Sequence, residues 1–112
     1  MTQQKLSSYE IPSDSSSLTT IDGNRFTITG VEDWQYNDHG NMIPGVKIIT
    51  KEAFDIGGEK FSKFHTTRTI IVDVLSNEKL RSDLASGDEI GPVICKKVPG
   101  KNYYIMEDVQ QQ

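Results

Sequence analysis

The sequence predicts one small, mostly-β domain of five strands, with a single short helix between the third and the fourth. Three observations carry this. Apolar residues come in short, β-branched runs with alternating polar neighbours; Gly, Asn, Asp and Pro clusters break the chain at short intervals; and only the stretch after Leu75 has capped, helix-spaced leucines. A length of 112 residues fits one domain.

The elements follow in order. Residues 1–20 hold Ser13, Ser15, Ser16, Ser17, Thr19, Thr20 and Pro12 with few apolar side chains, and are expected to be a disordered tail. Residues 110–112, all Gln, form a polar C-terminal tail, which leaves 21–109 for the fold. Residues 24–32 (NRFTITGVE) alternate Phe26 and Ile28 against Arg25, Thr27 and Thr29, a half-buried strand ending near Gly30. Residues 37–45 (NDHGNMIPG) have turn formers at both ends and read as a loop. Residues 45–54 form the second strand, with Val46 and Ile48 on one face and Lys47, Ile49 and Lys51 on the other. Residues 55–58 (DIGG) are a hairpin turn.

Residues 60–75 (KFSKFHTTRTIIVDVL) are expected to be the longest extended stretch, its apolar second half in the core. In the helix that follows, Ser76 or Asn77 is the cap, Glu78 favours the positive end, Leu80 and Leu84 share a face, and Gly87 is the stop. Residues 88–98 are a fourth strand that Gly91 and Pro92 interrupt, marking a bulge or an edge. Residues 99–102 turn the chain into a fifth strand, 102–109.

Five strands with a helix after the third is the connectivity of the OB-fold, a partly open Greek-key barrel, and residues 21–109 resemble that family. Gly30 in the first strand, the long third strand leading into a capped helix, and Gly87-Asp88 restarting the sheet carry the resemblance. Another small α+β fold with the same element order is the alternative. Within OB-folds, residues 58–108 look like the single-stranded-DNA-binding branch related to replication protein A and to SSB proteins, with a basic, aromatic third strand before the helix and a closing hairpin. The resemblance implies non-catalytic binding of single-stranded DNA, with RNA as an alternative ligand.

Charge placement agrees with that expectation once it is split by segment. The net charge of -4 argues against coating duplex DNA by bulk positive charge. Residues 42–69, however, carry five basic and three acidic residues, and residues 91–104 carry three lysines and no acid. Candidate phosphate contacts are Lys47, Lys51, Lys63, Arg68, Lys96, Lys97 and Lys101. Candidate base-stacking rings are Trp34 and Tyr36, at the end of the first strand, with Phe61, Phe64 and one of Tyr103 and Tyr104. Phe61 and Phe64 differ in strand parity, so one of them is expected in the core. Arg68 is the favoured contact, because a guanidinium pairs with phosphate and stacks on bases.

Other chemistries fare worse. His65 has no nucleophile with a partnering carboxylate near it in sequence, and Asp33, Asp38 and His39 match no metal-loop spacing. The single cysteine, Cys95, excludes an internal disulfide and reads as a small buried side chain. No enzyme activity, cofactor or metal is therefore expected. The opening MTQQKLSSYE lacks a secretion signal and no run approaches the roughly 20 apolar residues of a membrane span, so the expected location is the cytoplasm. The second reading is a protein-binding adaptor that uses the same barrel face or an edge strand.

Overall fold

The computed structural model describes residues 14–109. The elements are β1 (Ser16–Ser17), a 3-10 turn (Leu18–Ile21), β2 (Arg25–Asp38), β3 (Asn41–Ile56), β4 (Glu59–Thr66), α1 (Thr69–Leu75), α2 (Glu78–Ala85), β5 (Ile90–Lys97) and β6 (Tyr104–Asp108). The six strands form one sheet in the order β1-β4-β3-β2-β5-β6, curled into a half-barrel. The mostly-β class is as the sequence predicts, but among the described residues there are six strands rather than five and two helices rather than one, and the extra strand Ser16–Ser17 at the sheet edge makes the strand order differ from the expected one.

Two tight turns build the central meander. At the β2–β3 turn His39 and Gly40 both have positive φ (51° and 91°), and Asn37 Oδ1 accepts the Gly40 N–H at 2.9 Å. The β3–β4 turn repeats this with Gly57 and Gly58, where Asp55 Oδ1 accepts the Gly58 N–H at 3.1 Å. Paired positive φ values match the right-handed twist of the flanking strands. The loop expected at 37–45 is thus a two-residue turn: β2 runs on to Asp38 and β3 starts at Asn41. Pro44 is tolerated because β4 stops pairing at Val46, which leaves one side of β3 open at Pro44.

The third expected strand also divides. β4 ends at Thr66, whose Oγ1 accepts the Arg68 N–H at 3.1 Å, and residues 69–75 turn into α1. The β-branched run Thr69-Ile70-Ile71-Val72 suggests a strand by propensity. Packing decides otherwise: Ile71 and Leu75, four apart, are wholly buried, while Ile70 and Val74 stay exposed. α2 forms where expected, with Asn77 Oδ1 accepting the Leu80 N–H at 3.1 Å, Leu84 buried and Gly87 at φ 94° past the C-cap.

Two register shifts shape the sheet. Ile28 pairs with Thr50 but Gly30 with Ile49, so β2 carries an extra residue at Thr29-Gly30. Phe26 pairs with Val93 but Ile28 with Ile90, so β5 bulges at Gly91-Pro92, as the sequence predicts. Inside the curl, Phe26, Ile28, Val46, Ile48, Phe64, Val93 and Cys95 meet Ile71, Leu75 and Leu84 of the helices. Leu18 and Ile21 complete this core, both at 0% exposure. The expected tail is therefore folded from at least Asp14 onward; residues 1–13 and 110–112 lie outside the described residues.

Candidate functional site

The β2 bulge decides which side chains reach the outer face. Phe26 and Ile28 point inward; past the extra residue the parity inverts, so Val31 packs on the core and Asp33 meets Arg81 of α2 at 2.8 Å. Glu32, Trp34 and Tyr36 are thereby turned outward. Across β3 and β4 the same face presents Lys47, the partner of both Glu32 and His65, and Lys63, the partner of Ile49.

Trp34 organises this face. Its ring centroid lies 6.1 Å from Tyr36 and 5.0 Å from His65, tilted against each at 56° and 57°. The ring rests over Gly45, its β3 partner, where a Cβ would stand 2.8 Å from Trp34 Cε3 and 2.7 Å from the Thr66 carbonyl oxygen. The three rings open on a cleft of about 360 Å³ whose remaining walls are Ser17, Thr19, Thr66, Thr67 and Arg68. An aromatic floor with a hydroxyl-bearing rim suits a flat, polar-edged ring.

Basic groups flank the rings. Lys63 Nζ reaches Glu32 at 3.2 Å and Asp14 Oδ2 at 3.2 Å, and Lys47 Nζ reaches Asp14 Oδ1 at 3.1 Å. Hydrogen bonds from Lys47 and then Lys63 hold the Asp14 carboxyl below the usual carboxylate range. Hydrogen bonds that Lys63 donates to Asp14 and then to Glu32 hold its ammonium above its ordinary value. Burial pushes the His65 imidazole down, Lys47 adds to this and Asp14 opposes it. His65 Nδ1 is 2.9 Å from Ser15 Oγ, within hydrogen-bond distance.

Arg68 is already engaged. Its guanidinium grips both carboxylate oxygens of Asp22 at 3.1 and 3.2 Å and lies 4.0 Å above the Tyr104 ring. It thus ties the end of β4 to the start of β6, across the gap between the unjoined ends of the sheet. A second cleft of about 340 Å³ lies here, lined by Arg68, Thr69, Ile70, Asn102, Tyr103 and Tyr104. Arg68 borders both clefts.

Of the sequence candidates, the fold unites Trp34, Tyr36, Lys47 and Lys63, with Arg68 at the margin. Tyr103 stands exposed in the second cleft while Tyr104 lies under Arg68. Phe64 has no accessible surface: it packs edge-on against Phe54 at 5.7 Å inside the curl and is unavailable for stacking. Phe61 is half-buried against the core at the β3–β4 end. Lys51 pairs with Glu89 at 3.2 Å and Lys96 with Glu107 at 2.6 Å, neither at the aromatic cleft. Lys97 and Lys101 are exposed, with no ion-pair partner among the described residues.

Sequence reasoning missed Asp14, Ser15, Gly45 and the aromatic role of His65. Leu18 and Ile21, three apart, were the signal that the Ser-rich segment is anchored; the parity of His65 with Lys63 was the signal for its face. Cys95 is buried as expected, and burial pushes its thiol up to about 12, which disfavours the reactive thiolate. Among the described residues no cluster of metal-ligating side chains occurs, and no helix is long and apolar enough to cross a membrane. No family model, curated protein or solved structure matches the chain.

Proposed function

We propose that the protein is a non-catalytic binder of single-stranded nucleic acid, DNA in the first instance, built on an OB-like barrel. The observation that carries the reading is the juxtaposition of Trp34, Tyr36 and His65 with Lys47 and Lys63 on one outward sheet face. Single strands are held by aromatic rings that stack on bases and by cations that meet phosphates; this face supplies three clustered rings and two lysines, both paired with the chain's own carboxylates Asp14 and Glu32. Arg68 and Tyr103 extend the path into the second cleft, with Lys101 on the adjoining turn.

The sheet order supports the barrel reading. β2, β3 and β4 are joined by tight turns, and the chain then returns past both helices to lay β5 beside β2. That is the spatial order of a Greek key. β1 is a two-residue addition at the outer edge of β4, and the edges it leaves, β1 and β6, flank the gap that Arg68 and Tyr104 bridge.

Titration with a fluorescent oligothymidine tests the reading. With about two phosphates neutralised, the affinity should fall with salt at a log–log slope of roughly -1.4. Trp34→Ala should weaken binding by roughly 5- to 150-fold, the loss of one stacked base, with the unfolding midpoint little changed. No binding at low salt, or binding that ignores both salt and Trp34, overturns it.

A protein-binding adaptor is the second reading, favoured by Ile70 and Val74, which expose 42% and 49% of their surface on α1. It requires that Ile70→Ser and Val74→Ser abolish a stoichiometric protein complex while Trp34→Ala leaves it intact.

A further inference from the structure

The proposed binding face is not empty of anions: Glu32 of β2 holds Lys63 at 3.2 Å, and the chain lays a second carboxylate, Asp14, across both lysines. The two oxygens of Asp14 take separate lysines, Oδ1 on Lys47 and Oδ2 on Lys63. A phosphodiester, with two non-bridging oxygens, would address the same two ammonium groups in the same way. The lysines expose 17% and 25% of their side chains, so few other approaches to them are open, whereas Asp14 is 55% exposed.

The attachment of this segment differs from residue to residue. Leu18 and Ile21 are wholly buried and fix its C-terminal end. Ser16 and Ser17 add only two residues of parallel pairing on Phe64 and His65, too short a strand to hold by itself. Ser15 is buried, at 6% exposure, and its Oγ lies 2.9 Å from His65 Nδ1 beside the Trp34 ring. Among the described residues the outermost hold is the pair of Asp14 contacts, and with the Asp14 side chain 55% exposed these ion pairs are weak.

We infer that residues 14–17 form a displaceable acidic strap, in which Asp14 occupies the Lys47 and Lys63 anion site until a backbone phosphate of a bound single strand replaces it. This rests on the single-strand reading of the face. The strap lowers apparent affinity by the fraction of molecules in which it is closed. It also favours ligands that engage the aromatic cleft and both lysines together over isolated phosphate groups.

The test compares the full chain with Asp14→Asn, and with Glu59→Gln as a control that removes one negative charge at the β3–β4 turn. Oligothymidine binding at low salt should tighten roughly 3- to 10-fold in Asp14→Asn, the size expected from releasing two exposed ion pairs. Glu59→Gln should change it less, and the gain should vanish when Lys47 and Lys63 are both alanine. Adding oligothymidine to the unaltered chain should speed amide exchange at Ser16 and Ser17. If Lys47→Ala and Lys63→Ala weaken binding but Asp14→Asn matches Glu59→Gln or the unaltered chain, the strap is wrong and the single-strand reading stands. If no variant binds, the reading falls and the strap with it.

Discussion

Gly45 is the position on which the cleft depends, because a Cβ there would stand 2.8 Å from the Trp34 ring and 2.7 Å from the Thr66 carbonyl oxygen. A sequence shows a glycine after a proline there and suggests a turn; the close approach of an aromatic ring from the next strand is a tertiary fact. His65 is similar. Its neighbours in sequence offer no chemistry, whereas its neighbours in space are Trp34, Ser15, Lys47 and Asp14. Burial, with Lys47 adding to it, sets its folded-state pKa below the ordinary value of about 6.5. The unfolded chain therefore takes up a proton first as pH falls. Stability contributed by neutral His65 is complete above about 6.5 and declines through the window below it, down to the folded-state value. Urea midpoints measured from pH 7.5 to 5 should fall in the unaltered protein and stay flatter in His65→Gln; equal profiles would contradict this.

The elements that could be read from sequence are those whose local signals and tertiary fate agree. α2 carries its own cap, acidic first turn and stop, and the strands around Phe26 and Val46 show their inward faces by alternation. Two elements were hidden. α1 is made of strand-forming residues that packing compels into a helix, and β1 is made of serines that pair only because Leu18 and Ile21 bury beside them. The face of Trp34 and Tyr36 was hidden too, since the extra residue at Thr29-Gly30 inverts a parity that simple alternation carries straight through. The bulges have a cost of their own. Thr27 falls where the β2–β5 register shifts, and its N–H is taken by Glu52 Oε1 at 2.7 Å. Burial pushes the Glu52 carboxyl up, but this bond and one from its own N–H outweigh that and leave it below its usual value. Glu52→Ala should lower unfolding free energy by about 1–3 kcal/mol at neutral pH, as an unsatisfied N–H would, and Glu52→Gln by less. The difference between Ala and the unaltered residue should shrink as pH falls below about 4.5, because a depressed carboxylate contributes above its unfolded pKa and loses that contribution as it protonates.

At the scale of the whole molecule, a net charge of -4 and a local pair of lysines pull in opposite directions, and under the proposed single-strand reading their balance decides which nucleic acid the surface would favour. Long-range repulsion acts on any polyanion and is greatest for a duplex, whose charge per unit length is about twice that of one strand. Short-range attraction would require a base to bring its face to a ring of the Trp34, Tyr36 and His65 cluster, and stacked, paired bases present only their edges. Both effects disfavour the duplex, one through charge and the other through geometry, and they separate by salt. Raising salt screens the repulsion over a Debye length of about 10 Å at 0.1 M but cannot expose a paired base. In anisotropy competition, an unlabelled single strand should therefore displace labelled oligothymidine, while a duplex of equal length should compete at least 10-fold less well, given that one stacked base alone contributes about 1–3 kcal/mol. The preference should persist as salt rises, even as both affinities fall. A duplex that competes equally would mean that the lysines act alone and that the aromatic cleft serves another ligand.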